Sequence, residues 1–278
     1  LHTVALVHDD VMDRSDRRRG RPTAHVALAE RHRDGGLGGD DAWYGVSAAL
    51  LAGDLAFVWA DQLLETAALP EAAMARARQV FTTLRTEVVG GQALDLHLAR
   101  APEADEAAAQ RVALLKSARY TVTRPLQLGA VLADRPAGDD APDPTAVLRT
   151  LAAYGDAVGL AFQMRDDVLG LFGDPAVTGK SRLDDLREGK RTVLVLRALE
   201  LAGERDRALL VGALGDPDLD EDAAAACRAA VARSGALASI EALIENRLAV
   251  GRHVVAGLYE PARQALDQLA GLALRRNV

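Results

Sequence analysis

Cysteine is almost missing from this chain: Cys227, in the run AAAACRAAV, is the single one among 278 residues. One thiol closes no internal disulfide, and no Cys/His spacing for a zinc site exists. The residue reads as a small apolar filler on a buried helix face, and its isolation suits a reducing, cytoplasmic setting. Aromatics are scarce at 4%, so the 49% hydrophobic fraction is carried by alanine and leucine. An excess of positive charge is lacking too. A net charge of −7 and a pI near 5.4 argue against a protein that coats nucleic acid. Long apolar runs are absent; the best, Ala42 to Gly53, stops at Asp54, and a bilayer-spanning helix needs about 20 apolar residues. The first residues do not read as a signal peptide, because Asp9 and Asp10 follow a short apolar run. An initiator methionine is missing as well, and Leu1 reads as falling within a helix. We therefore expect an N-terminal segment to be missing upstream.

What is present is helical periodicity. VALLKSARYTVTRPLQLGAVLA and RTLAAYGDAVGLAFQMRDDVLGLFG both repeat apolar residues at three- and four-residue spacing. Strand-like alternation is scarce. Breaks fall at 33–41, 135–144, 173–185 and 215–222, each rich in Gly and Asp or in Pro and Asp. Pro125 should kink or divide a helix. The expectation is one all-α domain over 1–278, without internal repeats. Long helices over Ala42–Ala67 and Glu71–Arg100 are apolar around much of their circumference and read as central, with Phe57 and Trp59 in the core.

Charge is concentrated in two places. In LVHDDVMDRSDRRRGRPTAH, Asp9 and Asp13 stand at i and i+4 and share a helix face, about 6 Å apart along the axis. Paired carboxylates with open coordination positions suit Mg²⁺, which keeps waters and takes substrate phosphates. A solvated helix end is the bland alternative, yet aspartates near a helix C-terminus are unfavourable without counter-charge. Arg17, Arg18, Arg19 and Arg21 supply it, and arginine forks match phosphate oxygens. In FQMRDDVLGLFGDPAVTGKSRLDDLREGKRT the arrangement repeats: Asp166 and Asp167 end an apolar helix, and Lys180, Asp184, Asp185 and Lys190 follow. Two such ends facing one another would form a charged mouth over an apolar shaft, as in the centre of a helical bundle. Among the histidines, His2, His25, His32, His97 and His253 show no paired-ligand spacing, and His8 suits a supporting polar role. Gly90 and Gly91 in GGQALDL each weaken a helix by roughly 1 kcal/mol relative to Ala, which points to close packing or a ligand.

These two motifs, with GDLAFVWADQLL, GGQALDL and LKSARYTVTRPLQLG in order between them, resemble the trans-prenyltransferases, or polyprenyl diphosphate synthases, over essentially the whole chain. The resemblance implies an isoprenoid-synthase helical bundle with a central cavity, a homodimer and three Mg²⁺ ions. It implies condensation of isopentenyl diphosphate with an allylic prenyl diphosphate. Asp9 and Asp13 match the residues that bridge two ions and Asp166 the ligand of the third, with Asp10 and Asp167 in support. Arg18 matches the arginine that holds the allylic diphosphate and Arg19 the one that holds isopentenyl diphosphate. Lys116, Lys180 and Lys190 match lysines around the allylic diphosphate. Gln163 matches a glutamine against the reacting region, and Ser117 stands where threonine is common. Gln92 and Asp95 match cavity-facing residues.

Two departures stand out. Gly170 replaces the expected third aspartate of the second motif, and the glycine-lysine-arginine segment that grips isopentenyl diphosphate in the resembled family would lie before Leu1, in the segment expected upstream. Val4 and Ala5 lie one turn before Asp9, where aromatic residues shorten the product in the resembled family. Their modest size points to geranylgeranyl diphosphate, with farnesyl diphosphate as the alternative. A class I terpene cyclase and a non-catalytic subunit of a heteromeric synthase are the competing readings.

Overall fold

Aspartate side chains mark the helix starts. The structure, a computed structural model, describes residues 1–101, 103–133, 143–175 and 182–274. Asp40, Asp105, Asp143 and Asp220 each accept a hydrogen bond from a backbone N–H in the first turn of the helix that follows, and Thr192 does the same. Among the described residues the architecture is all-α apart from one two-stranded hairpin. It forms two compact units, Leu1–Pro70 with Pro175–Asp184, and Glu71–Asp174 with Asp185–Val278.

The first unit holds α1 (His2–Met12), the hairpin β1 (Arg17–Arg18) and β2 (Arg21–Pro22), α2 (Ala24–Asp34) and α3 (Asp41–Glu65). The hairpin departs from the helical expectation. Arg19 and Gly20 take φ of 52° and 74°, the pair of positive angles that a two-residue turn between antiparallel strands requires. The Thr23 N–H closes the loop onto the Asp16 carbonyl at 3.0 Å.

Helix α3 corrects two expectations. It is long and apolar enough, by length and composition, to cross a membrane: 25 residues, with mean hydropathy 1.3 in its most apolar window. It is also not central, because only 17% of that window is buried within the chain. Trp59 is 54% exposed rather than in the core, and Trp43, Leu51, Leu55, Val58 and Leu63 are exposed beside it. A bilayer is a poor partner for this helix, since Asp54 and Asp61 interrupt the apolar surface and each carboxylate at mid-membrane costs about 3 kcal/mol.

The second unit holds α4 (Glu71–Leu98), α5 (Glu106–Val112), a π-helical segment (Ala113–Thr123), α6 (Arg124–Leu132) and α7 (Pro144–Phe172). It continues with α8 (Asp184–Arg187), α9 (Val193–Leu201), α10 (Glu204–Ala213), α11 (Glu221–Arg233), α12 (Ala236–Val254) and α13 (Glu260–Leu274). Here α7 is the buried axis: Tyr154, Val158, Met164 and Val168 are fully enclosed, and the Tyr154 hydroxyl donates to the Leu266 carbonyl at 2.5 Å. Pro125 sits in the first turn of α6 and separates it from the π-helical segment, as its ring requires. Cys227 is buried on α11 as expected.

Candidate active site

The first acidic motif closes α1. Asp10 is buried, Asp9 is partly buried, and Asp13 caps the helix, its N–H bonded to the Asp9 carbonyl at 2.8 Å. The hairpin brings Arg18 back onto the carboxylates. Its Nε and one terminal nitrogen both lie 2.7 Å from Asp10 Oδ1, and the same terminal nitrogen is 3.6 Å from Asp9 Oδ2. Burial raises the Asp10 pKa, and Arg18 opposes that shift. Arg19, at the hairpin turn, is exposed. His8 packs into a notch of α3. A Cβ on Gly53 would lie 2.1 Å from His8 Nε2, which approaches the Leu50 carbonyl at 3.2 Å and Asp54 at 3.6 Å. That contact fixes the rotation of α1 about its axis just before Asp9. Val4 is buried and Ala5 partly so.

The second acidic motif closes α7, within the second unit. Gln163 Nε2 donates to Asp167 Oδ1 at 2.7 Å. Burial pushes the Asp167 pKa up to about 7, and the charges of Asp185, Asp166 and Asp95 add to the rise. Lys116 lies on the π-helical segment with Ser117, and its Nζ donates to Asp95 Oδ2 of α4 at 2.6 Å. Lys190 pairs with Glu188 and lies 3.8 Å from Asp185. Lys180 falls outside the described residues.

The π-helical segment was not legible in the sequence. Its residues keep the apolar spacing of an α-helix, while wider turns shift the register that carries Lys116; such segments recur at functional sites. Three glycines let neighbours press against it. A Cβ on Gly91 of α4 would meet the Lys116 backbone nitrogen at 2.3 Å, so close packing explains that glycine, whereas a Cβ on Gly90 would meet nothing. On α7, Cβ atoms at Gly155 and Gly159 would come within 2.6 Å and 2.7 Å of Thr123 and Ala118. An ion network braces the segment and was also missed. Arg119 contacts Glu87 at 2.8 Å and Asp156 at 3.1 Å, Arg124 holds Glu87 at 2.6 Å, and Thr123 donates to Asp156 at 2.7 Å.

The donor sets fit hard cations. Both motifs offer carboxylate oxygen and no thiolate, and the raised Asp167 pKa marks negative charge that a cation would relieve. Among the described residues no group of three or more His, Cys, Asp or Glu converges into a self-sufficient cage.

A model of the polyprenyl synthetase family matches residues 1–231. The chain belongs to that family. The chain is 34% identical over 229 residues to the geranylgeranyl diphosphate synthase of Sulfolobus acidocaldarius, covering 80% of this chain and 60% of that protein. It is also 34% identical over 239 residues to the geranylfarnesyl diphosphate synthase of Aeropyrum pernix, covering 85% of this chain and 66% of that protein. The chain thus spans about 60 to 66% of the length of these relatives. Among solved structures, it superposes with a TM-score of 0.90 and 38% identity on a geranylgeranyl pyrophosphate synthase from Corynebacterium glutamicum, complexed with isoprenyl diphosphate and magnesium. That match covers 99% of this chain and 76% of the other, and it assigns this chain the all-α isoprenoid-synthase fold.

Proposed function

We propose that this chain carries out the Mg²⁺-dependent condensation of isopentenyl diphosphate with an allylic prenyl diphosphate, giving geranylgeranyl diphosphate. The observation that carries the reading is that each of two helices ends in a carboxylate pair, in a chain of this family, with Arg18 and Lys116 each already held on a carboxylate. Arg18 rests on Asp10 and Lys116 on Asp95 at 2.7 Å and 2.6 Å. Both cations are therefore ordered before an anion arrives, so little reorganisation is left for binding. Asp9, Asp13 and Asp166 are the proposed metal ligands, for three ions. Bound Mg²⁺ would neutralise the diphosphate leaving group as the allylic C–O bond breaks. Arg18, Lys116, Lys180 and Lys190 take the remaining charge on the allylic diphosphate, and Arg19 that on isopentenyl diphosphate. Gln163, held by Asp167, lies against the reacting carbons. The alkene of isopentenyl diphosphate attacks the allylic cation, a carbon–carbon bond forms, and the departing diphosphate accepts the proton that is lost. Apolar side chains at Val4 and Ala5 leave room for the growing tail.

We further propose one isoprenoid-synthase domain over 1–278, paired as a homodimer through the exposed apolar face of α3. The lone buried Cys227 suits a cytoplasmic location. Purified protein given Mg²⁺ and both substrates should release diphosphate, and mass spectrometry should find a twenty-carbon product. Asp9→Ala and Asp13→Ala should each lower turnover by at least about a hundredfold while circular dichroism stays unchanged. No turnover by the unmodified protein, or full activity of Asp9→Ala, would sink the reading. A product that stops at fifteen carbons would overturn the length alone.

A further inference from the structure

Asp156 lies on α7 outside the acidic motif, and its carboxylate meets the π-helical segment at two points. The Thr123 hydroxyl donates to Oδ1 at 2.7 Å. The Arg119 guanidinium spans both oxygens, with Nη2 3.1 Å from Oδ2 and Nε 3.3 Å from each. Thr123 is 1% exposed, so water has no access to replace its bond. Backbone packing carries this constraint along the segment. Gly155 and Gly159 stand on either side of Asp156, and a Cβ on them would lie 2.6 Å from Thr123 Cα and 2.7 Å from Ala118 Cα. These are main-chain atoms, which cannot swing aside as a side-chain tip can. On α4, Gly91 admits the Lys116 backbone, and Asp95, four residues later on the same face, takes the Lys116 ammonium at 2.6 Å. The turn type decides whether both contacts form together. With 3.6 residues per turn, Thr123 would come back to the face that carries Lys116, seven residues earlier. The wider π turns part the two, so Lys116 reaches α4 while Thr123 reaches α7.

We infer that Asp156 is a positioning residue for diphosphate binding: by holding Arg119 and Thr123 it sets the π register in which Lys116 meets an incoming diphosphate. The inference rests on the function proposed above, which places Lys116 on the allylic diphosphate, and deepens it. Asp156 acts on that lysine through the backbone between them and touches no substrate. Its loss strands no charge, because Arg119 keeps Glu87 at 2.8 Å. The unit therefore stays folded while the register of Lys116 is released.

The test is a double-mutant cycle on binding. Inorganic diphosphate is titrated into the full chain in the presence of Mg²⁺, and the affinity is read by calorimetry for Asp156→Ala, Lys116→Met and the two combined. Asp156→Ala should weaken binding at least about fivefold, and Lys116→Met at least about tenfold. The combined variant should bind within about twofold of Lys116→Met, because a residue that acts through the lysine has nothing left to act on. Asp156→Asn fits the same space without the charge; it serves if the alanine variant does not fold, and it should lose at least about threefold in the same cycle. A folded Asp156 variant that binds as well as the unmodified chain overturns the inference. So do losses that multiply in the combined variant, which would assign them to a general loosening of the second unit. Failure of Asp156→Asn to fold overturns it too, since the carboxylate would then be holding the fold. If Lys116→Met loses affinity and the Asp156 variants do not, the inference alone fails; if Lys116→Met binds normally, the proposed role of Lys116 fails with it.

Discussion

At the scale of single residues, Asp167 is the group whose charge state is set by its surroundings. Gln163 donates one hydrogen bond to it, which favours the ionised form. Burial and the carboxylates of Asp185, Asp166 and Asp95 outweigh that bond and hold its pKa at about 7. The unfolded value is near 3.9. Between these limits the folded chain retains a proton that the unfolded chain has released, so the slope of stability against pH is negative. The contribution is complete below about pH 4 and is lost as pH rises through about 7. Melting of the metal-free protein in EDTA should therefore fall faster over this window than melting of Asp167→Asn, and Mg²⁺ with diphosphate should remove the difference. Equal slopes for the two proteins in EDTA would refute the assignment. The sequence displays the pair Asp166 and Asp167 plainly. It does not say which member keeps a proton, because Asp95 and Asp185 come from distant parts of the chain.

Among the elements, the π-helical segment depends most on its neighbours. Burial alone would raise the pKa of Glu87, but Arg124 and Arg119 overcome it and hold the carboxylate ionised. Asp156 receives Arg119 and the Thr123 hydroxyl, while Gln127 accepts from Arg124 at 2.6 Å and donates to the Leu148 carbonyl at 3.1 Å. Glu87→Gln leaves two arginines facing a neutral partner. The change should destabilise the second unit by roughly 3 kcal/mol, the low end for a broken interior pair because Arg119 keeps some solvent. Hydrogen exchange should rise first at 113–123. Unchanged exchange there would mean that backbone packing, not the ion network, holds the segment. The breaks at 33–41 and 215–222, rich in Gly and Asp, marked helix boundaries in the chain. A change from α to π turns leaves no such mark, since LKSARYTVT fits either repeat.

For the molecule as a whole, composition signalled a helical protein with apolar surface to spare but not where that surface would lie. An apolar residue on a long helix looks the same in sequence whether it meets its own chain or another. Leu51, Leu55 and Val58 recur at helical spacing on α3, and all three are exposed, Leu51 at 69%. An obligate pairing of this kind buries more than about 2,000 Å² in total. Light scattering at micromolar concentration should find a dimer. Leu51→Arg combined with Val58→Arg should give a folded monomer, and a monomeric unmodified protein would count against the pairing.

The three glycine contacts around the π-helical segment bear on the order in which the chain acquires its shape. A π turn is a poor nucleus, because it fixes more of the backbone per hydrogen bond than an α turn does. Contacts with Gly91 on one side and Gly155 and Gly159 on the other hold it instead. During synthesis α4 and the segment itself leave the ribosome before α7 does. Lys116 therefore settles only after α7 has been made and has closed over the segment, well after the lysine itself has left the ribosome in a newborn chain.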